Sequence, residues 1–325
     1  MSSNYFLALL DWNGVCMKEV IEKLKKINAR RILVQFPEGL KLKIQEIARE
    51  LEENGFEVLL CLEPCFGACD IRDEEALRLG CDAILHIGHE RFVEKTKLPV
   101  VYWEYFIDAD VCSILEKEFE KLKDFRRIGL ITSIQFVKLI PRVKEFLEAK
   151  GKEVFTFKSL QYPGQVLGCN VEAAKAIEEK VDCFLCISAG EFYAAGLVLF
   201  TEKPVLNLDL ERKEIRSLEE FKQRVEKLIA WNKAQFEDAK RIGILVSWKK
   251  GQIKRDYFKL KERLEKEGKE VYLLAMDEIS PEKLEGLKLD FLINYACPRL
   301  GIDDLARFKI PMLNFNFLEK KYLNS

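Results

Sequence analysis

Short β-branched apolar runs recur along the chain, each opened by a basic pair: "ARRILVQF" (Ala29–Phe36), "FRRIGLITS" (Phe125–Ser133) and "AKRIGILVS" (Ala239–Ser247). Runs of this length read as buried strands. A helical pattern follows each one: "LKIQEIARELEENG", "IPRVKEFLEAKG" and "YFKLKERLEKEG". These close on Gly55, Gly151 and Gly268, the residue type expected just past a helix end. A second strand pattern comes next ("FEVLLCLE", "KEVFTFKS", "KEVYLLAM"), then a third ("GCDAILHIGH", "KVDCFLCISAG", "KLDFLINYAC"). A fourth closes each copy: "LPVVYWEYF", "KPVLNLDL" and "IPMLNFNF".

The same elements in the same order, three times, are an internal repeat. Alternating strand and helix patterns predict the α/β class, with small, mostly parallel sheets flanked by helices. We read three related domains, near 1–120, 121–237 and 238–325, arranged around a pseudo-threefold centre. The stretch Glu211–Ala239 is predicted to be a helix joining the second copy to the third.

Composition narrows the function classes. Hydrophobic residues make up 48% and charged residues 33% of the 325, as in a globular protein with a substantial core. The 53 Lys and Arg residues nearly balance the 54 Asp and Glu residues, which argues against a strongly basic nucleic-acid surface. No apolar run approaches the roughly 18 residues of a membrane span. The N-terminal "MSSNYFLALLDWNG" lacks a basic lead, so the expected location is the cytoplasm, where thiols stay reduced. Ten cysteines in such a chain point to metal binding, catalysis or burial rather than a disulfide framework.

Ligands of open parallel sheets bind beyond the carboxyl ends of the strands. Each copy sends one cysteine there: Cys69 in "EPCFGACD", Cys169 in "SLQYPGQVLGCN" and Cys297 in "YACPRLGIDD". A glycine or proline stands beside each (Gly67, Gly168, Pro298), which permits tight turns and close backbone approach. A pseudo-threefold arrangement would bring the three loops to one point. Cys65 shares the first loop and is a spare-ligand candidate. Cys61 falls inside an apolar run. Cys183 and Cys186 lie on one predicted strand whose alternation turns them to opposite faces. Cys16, Cys81 and Cys112 have no partner nearby in sequence, and neither His86 nor His89 sits in an obvious ligand motif. Thiolates select iron–sulfur clusters, zinc or copper(I), and three of them suit a 4Fe–4S cluster with one iron open to a substrate or cofactor.

At the three cysteine loops, and at "QFPEGL" (Gln35–Leu40), "TSIQFV" (Thr132–Val137) and "SWKKGQ" (Ser247–Gln252), the chain resembles the diphthamide synthase family that acts first in its pathway. The resemblance implies that Cys69, Cys169 and Cys297 hold a 4Fe–4S cluster to whose open iron S-adenosylmethionine docks. It implies radical transfer of the 3-amino-3-carboxypropyl group to a histidine of translation elongation factor 2, by a homodimer supplied by an electron donor. "FPEGLKLK" leads into a helix start, a place that favours anionic groups, so Gln35, Glu38 and Gly39 are assigned to the cofactor pocket. "CISAGEFYAAG" resembles a family loop that usually carries two glycines; here Ala189 takes the first place, leaving Ser188 and Gly190 as pocket candidates. "GHERF" (Gly88–Phe92) departs from the small residue usual in the family after the histidine. Three alternatives remain at this stage: an enzyme resembling quinolinate synthase, an iron–sulfur dehydratase; a non-catalytic partner subunit that transfers electrons or binds the elongation factor; and a zinc-bound scaffold.

Overall fold

The structure, a computed structural model, describes residues 17–254, 256–318 and Tyr322. Cys16 lies outside them. The chain divides into two compact units, the first ending at Glu219 and the second beginning at Glu220.

Strands β1 (Arg31–Gln35), β2 (Glu57–Leu60), β3 (Ala83–Ile87) and β4 (Val100–Trp103) form one sheet in the order β2-β1-β3-β4. The second sheet holds β5 (Arg127–Thr132), β6 (Glu153–Phe155), β7 (Cys183–Ser188), β8 (Val205–Asp209) and β9 (Glu214–Ser217) in the order β6-β5-β7-β8-β9. The third, in the second unit, holds β10 (Arg241–Ser247), β11 (Glu270–Met276), β12 (Phe291–Asn294) and β13 (Met312–Asn314) in the order β11-β10-β12-β13. The repeat read from the sequence is thus a repeat of topology. Pairing is parallel throughout except between β8 and β9. In each sheet the first strand lies between the second and third, so winding reverses there, and loops at the carboxyl ends diverge into a crevice.

The predicted helices form where the apolar spacing puts them. Helix Ile44–Glu53 buries Ile44, Ile47, Ala48 and Leu51, one stripe at helical period. Helices Ile140–Ala149 and Tyr257–Lys266 do the same with Ile140, Val143 and Leu147, and with Leu260 and Leu264. Gly55, Gly151 and Gly268 follow with φ of 93°, 80° and 83°, the left-handed geometry that ends a helix cheaply only at glycine. In the first unit the first two sheets share one core, with Ile32, Leu85, Ile128 and Leu185 in a single cluster. Fully burying a side chain such as Trp103 or Phe184 contributes about 1.5–3 kcal/mol.

The stretch 211–239 is only partly helical, which corrects the expectation. Lys213 takes φ 55°, which interrupts any helix, and Glu214–Ser217 then pairs antiparallel with β8. Ile215 is fully buried while Arg216 and Ser217 are exposed, so one side chain anchors this short edge strand. The helix itself runs over Glu219–Asp238. In the second unit its Phe236 packs on Phe291 and Tyr322, and Asn232 Nδ2 donates to the Met312 carbonyl at 2.8 Å. No described helix is long and apolar enough to cross a membrane.

The basic pair before each first strand has a structural use. An aspartate just ahead of the third strand accepts hydrogen bonds from the backbone N–H groups of that pair. Asp82 serves Arg30 and Arg31, Asp182 serves Arg126 and Arg127, and Asp290 serves Lys240 and Arg241. The Arg127 and Arg241 guanidiniums add two bonds each, the shorter at 2.7 and 2.6 Å, and hold Asp182 and Asp290 down to about 2. An unfolded aspartate titrates near 3.9, so the folded state is favoured by this clamp above about pH 4 and loses it as pH falls toward 2. Thermal unfolding followed by circular dichroism should therefore show Asp182→Asn and Asp290→Asn less stable than the parent at pH 7, with the gap closing between pH 4 and 2. An unchanged gap across that range would contradict the clamp.

Candidate metal and cofactor site

The loop that carries Cys69 leaves β2 through Cys61, whose N–H still donates to the Val34 carbonyl, and whose thiol is pushed up by burial. A turn closed by Asp70 N–H on the Gly67 carbonyl follows, at 3.1 Å. Gln35, at the carboxyl end of β1 and 1% exposed, then fixes the chain just past Cys69. Its Nε2 donates to the Asp70 carbonyl at 3.1 Å, and its Oε1 accepts from Arg72 N–H at 3.0 Å. Cys69 is half-buried immediately before this anchor, while the Phe66 ring on the same loop is exposed.

In the second repeat Cys169 is exposed, at the tip of a two-residue turn. Leu167 and Asn170 exchange backbone hydrogen bonds of 2.9 and 3.2 Å across Gly168 and Cys169. The strand-like segment before it lies beside the end of β5: Thr132 N–H donates to the Gly164 carbonyl and Val166 N–H to the Thr132 carbonyl, each at 2.8 Å. Gly164 has φ 71°, and a Cβ there would stand 2.8 Å from the Leu130 carbonyl oxygen, so only glycine lets the loop approach β5 this closely.

Cys297, half-buried, follows β12 in the second unit. Two buried asparagines at adjacent strand ends hold its backbone. Asn294 Nδ2 lies 2.7 Å from the Cys297 carbonyl oxygen and 2.6 Å from Asn314 Oδ1; Asn294 Oδ1 accepts from Ala296 N–H at 3.0 Å. Asn314 Nδ2 donates to the Pro298 carbonyl at 2.7 Å. A Cβ at Gly301 would stand 2.1 Å from Asn314 Oδ1, so this position must be glycine for the asparagine pair to fit.

The pocket candidates lie at the same strand ends. Glu38 and Gly39 open a short 3₁₀ turn after β1; Glu38 reaches Lys41 at 2.6 Å, and Gly39 is buried. Ser188 ends β7, its Oγ 2.7 Å from both the Gly190 carbonyl oxygen and Asn207 Oδ1. Gly190, at φ 75°, donates its N–H to Asp209 at 3.2 Å. Gln35 and Ser188 are therefore braces of their loops as well as pocket candidates. A cleft of about 690 Å³ in the first unit is lined by Lys23, Glu90, Arg91, Tyr102 and Glu104 among others, and includes none of the predicted site residues.

The other cysteines behave as cores require. Cys183 and Cys186 are fully buried on β7, each thiol pushed up to about 12 by burial, and Cys81 and Cys112 pack into apolar clusters. What the sequence reading passed over is a contact between His86 and His89, 3.1 Å apart, with Cys65 beside them. The spacing His-x-x-His across Gly88 was the available signal. Burial, with the neighbouring His89 adding to it, holds His86 well below the ordinary histidine range, and burial brings His89 to about 4.

Together these features define a three-repeat α/β protein with a thiol-bearing loop at the strand ends of each repeat. The chain belongs to the diphthamide synthesis protein family, whose profile matches residues 36–319. It is 36% identical over 303 residues to the 2-(3-amino-3-carboxypropyl)histidine synthase of Pyrococcus horikoshii, covering 91% of this chain and 86% of that one. It is 28% identical over 315 residues to the enzyme of the same name from Methanocaldococcus jannaschii, covering 90% and 84%. The crystal structure of Dph2 from Pyrococcus horikoshii superposes with a TM-score of 0.88 at 33% identity, covering 97% of this chain and 93% of that one. Dph2 from the same organism with its 4Fe–4S cluster superposes with a TM-score of 0.86 at 34% identity, covering 97% and 92%.

Replacing Gln35 with leucine leaves the Asp70 carbonyl and the Arg72 N–H without their buried partner, at a cost of about 1–3 kcal/mol for each. We expect Q35L to lower the urea midpoint and to bind iron less tightly on anaerobic reconstitution. Parent-like iron retention would show that the brace does not govern the Cys69 loop.

Proposed function

We propose that this chain is a 2-(3-amino-3-carboxypropyl)histidine synthase, the enzyme of the first step of diphthamide biosynthesis. The observation that carries this reading is the placement of one cysteine per repeat at a strand-end loop, in a chain 36% identical to a synthase of that name. Repeats near 1–120, 121–237 and 238–325 each give one ligand, Cys69, Cys169 and Cys297, to a 4Fe–4S cluster. Three thiolates leave one iron open for S-adenosylmethionine. When bound and reduced, the cluster supplies the electron that splits the sulfur–γ-carbon bond of S-adenosylmethionine, giving methylthioadenosine and the 3-amino-3-carboxypropyl group.

The chain's own residues orient and hold. Gln35 fixes the loop behind Cys69, and Asn294 and Asn314 fix the loop around Cys297. Glu38 and Gly39 after β1, and Ser188 and Gly190 at the end of β7, line the S-adenosylmethionine pocket. Orientation decides the product, because only the carbon held in line with the incoming electron leaves the sulfonium. The acceptor is the imidazole of a histidine in translation elongation factor 2. The chain acts as a cytoplasmic homodimer and takes electrons from a separate donor.

Anaerobic reconstitution with iron and sulfide, reduction, and addition of S-adenosylmethionine test this directly. The expected product is methylthioadenosine, lost in C69A, C169A and C297A alike, with modification of the elongation factor by this chain unaided. Formation of 5′-deoxyadenosine, or turnover that survives loss of any one of the three cysteines, would overturn the reading. Activity that requires a second, different subunit would assign the chain an accessory role instead.

A further inference from the structure

The first repeat holds a second set of soft donors that the proposed cluster does not use. Cys65 Sγ lies 3.9 Å from His86 Nε2, and that nitrogen lies 3.1 Å from His89 Nδ1. The three atoms all fall within 4.8 Å of one another. They come from the two strands that flank β1, Cys65 from the loop after β2, and His86 and His89 from the end of β3 and the turn beyond it. The turn is made by Gly88 at φ 85°, whose N–H is held by the Trp103 carbonyl at 2.8 Å. A Cβ at Gly88 would meet Pro37 at 3.1 Å, so glycine is what lets the chain fold back and face the imidazoles toward each other. Cys65 and His86 are 4% and 0% exposed, and His89 is half-buried, which leaves one open side.

These separations match a metal site. Zinc binds imidazole nitrogen at about 2.0–2.1 Å and thiolate sulfur at about 2.3 Å, so tetrahedral ligand atoms stand roughly 3.3–3.8 Å apart. The contacts of 3.9 and 3.1 Å lie within a few tenths of an ångström of that range, and the third pair lies within 4.8 Å. Two imidazoles kept neutral offer lone pairs without losing a proton, and the Cys65 thiol releases one on binding. A Cys-His-His set with a fourth position open suits tetrahedral zinc, with copper the rival ion for the same donors.

We infer that Cys65, His86 and His89 form a zinc site separate from the cluster ligands. Zinc there ties the loop carrying Cys69 to the carboxyl end of β3, only four residues before the cluster thiol.

The test uses the full chain with Cys69, Cys169 and Cys297 all changed to alanine, which removes the proposed cluster ligands. Under anaerobic conditions this variant should bind one equivalent of Co²⁺, with a thiolate-to-cobalt charge-transfer band, and zinc should displace it. Adding Cys65→Ser should abolish the band. Adding His89→Ala should weaken binding by more than the roughly 10–100-fold that loss of an outer partner costs. In parallel, the reconstituted parent should carry one zinc beside four irons, and C65S alone should lose the zinc and keep the irons. Absence of cobalt binding in a variant with parent-like circular dichroism, or binding indifferent to C65S and H89A, overturns the site. Loss of cluster iron in C65S also overturns it, because Cys65 would then belong to the cluster. Should the triple variant fail to fold, equal zinc content in the parent and C65S overturns it as well. Whether the parent holds four irons is read independently of its zinc, so failure of the cluster assignment is recognised separately.

Discussion

A loop that must lie against the end of a buried sheet has to find partners for its own peptide groups, and in this protein side-chain amides at the strand ends supply them. A carboxamide offers both a donor and an acceptor, so one residue can hold two points of a passing backbone. Gln35 does so for the segment just past Cys69, and Asn294 with Asn314 for the segment around Cys297. Asn207 does the same for Gly190, donating to its carbonyl at 2.9 Å. All of these amides are buried, where an unmet hydrogen bond is expensive and a satisfied one therefore specifies a single arrangement. Cys69 and Cys297 are positioned by this device, while the segment before Cys169 is held by backbone hydrogen bonds to the end of β5.

A second device works at the opposite ends of the strands. Asp82, Asp182 and Asp290 pin the start of each first strand to the start of the third. With one set of contacts fixing the amino ends and another the carboxyl ends, each sheet presents its loops from a rigid platform. The β2-β1-β3-β4 order and its counterparts open the crevice on the carboxyl side, so both devices serve the same face of each sheet.

The pattern of apolar runs carried most of the fold. Each run quoted for a strand contains one, and the glycines past the helices have the left-handed geometry their positions called for. Strand β9 escaped because its four residues are charged or polar except Ile215, and a strand so short has too little periodicity to stand out beside a long helix. The position of the cysteine loops was legible because each follows the carboxyl end of a predicted strand. The braces behind them were only partly so. Gln35 stood in a quoted motif and Asn294 and Asn314 in quoted strands, yet nothing in a linear sequence says which backbone a buried amide will reach. The meeting of Cys65 with His86 and His89 was hidden for the same reason, since it depends on β2 and β3 flanking β1 in the folded sheet.

The central claim is that three repeats give one thiolate each to a single cluster and leave one iron without a protein ligand. Mössbauer spectroscopy of the ⁵⁷Fe-reconstituted full chain, before and after S-adenosylmethionine is added, addresses it most directly. The account predicts that one iron in four changes its isomer shift and quadrupole splitting on addition while the other three stay as they were. Four irons that remain indistinguishable and unmoved by the cofactor would contradict it.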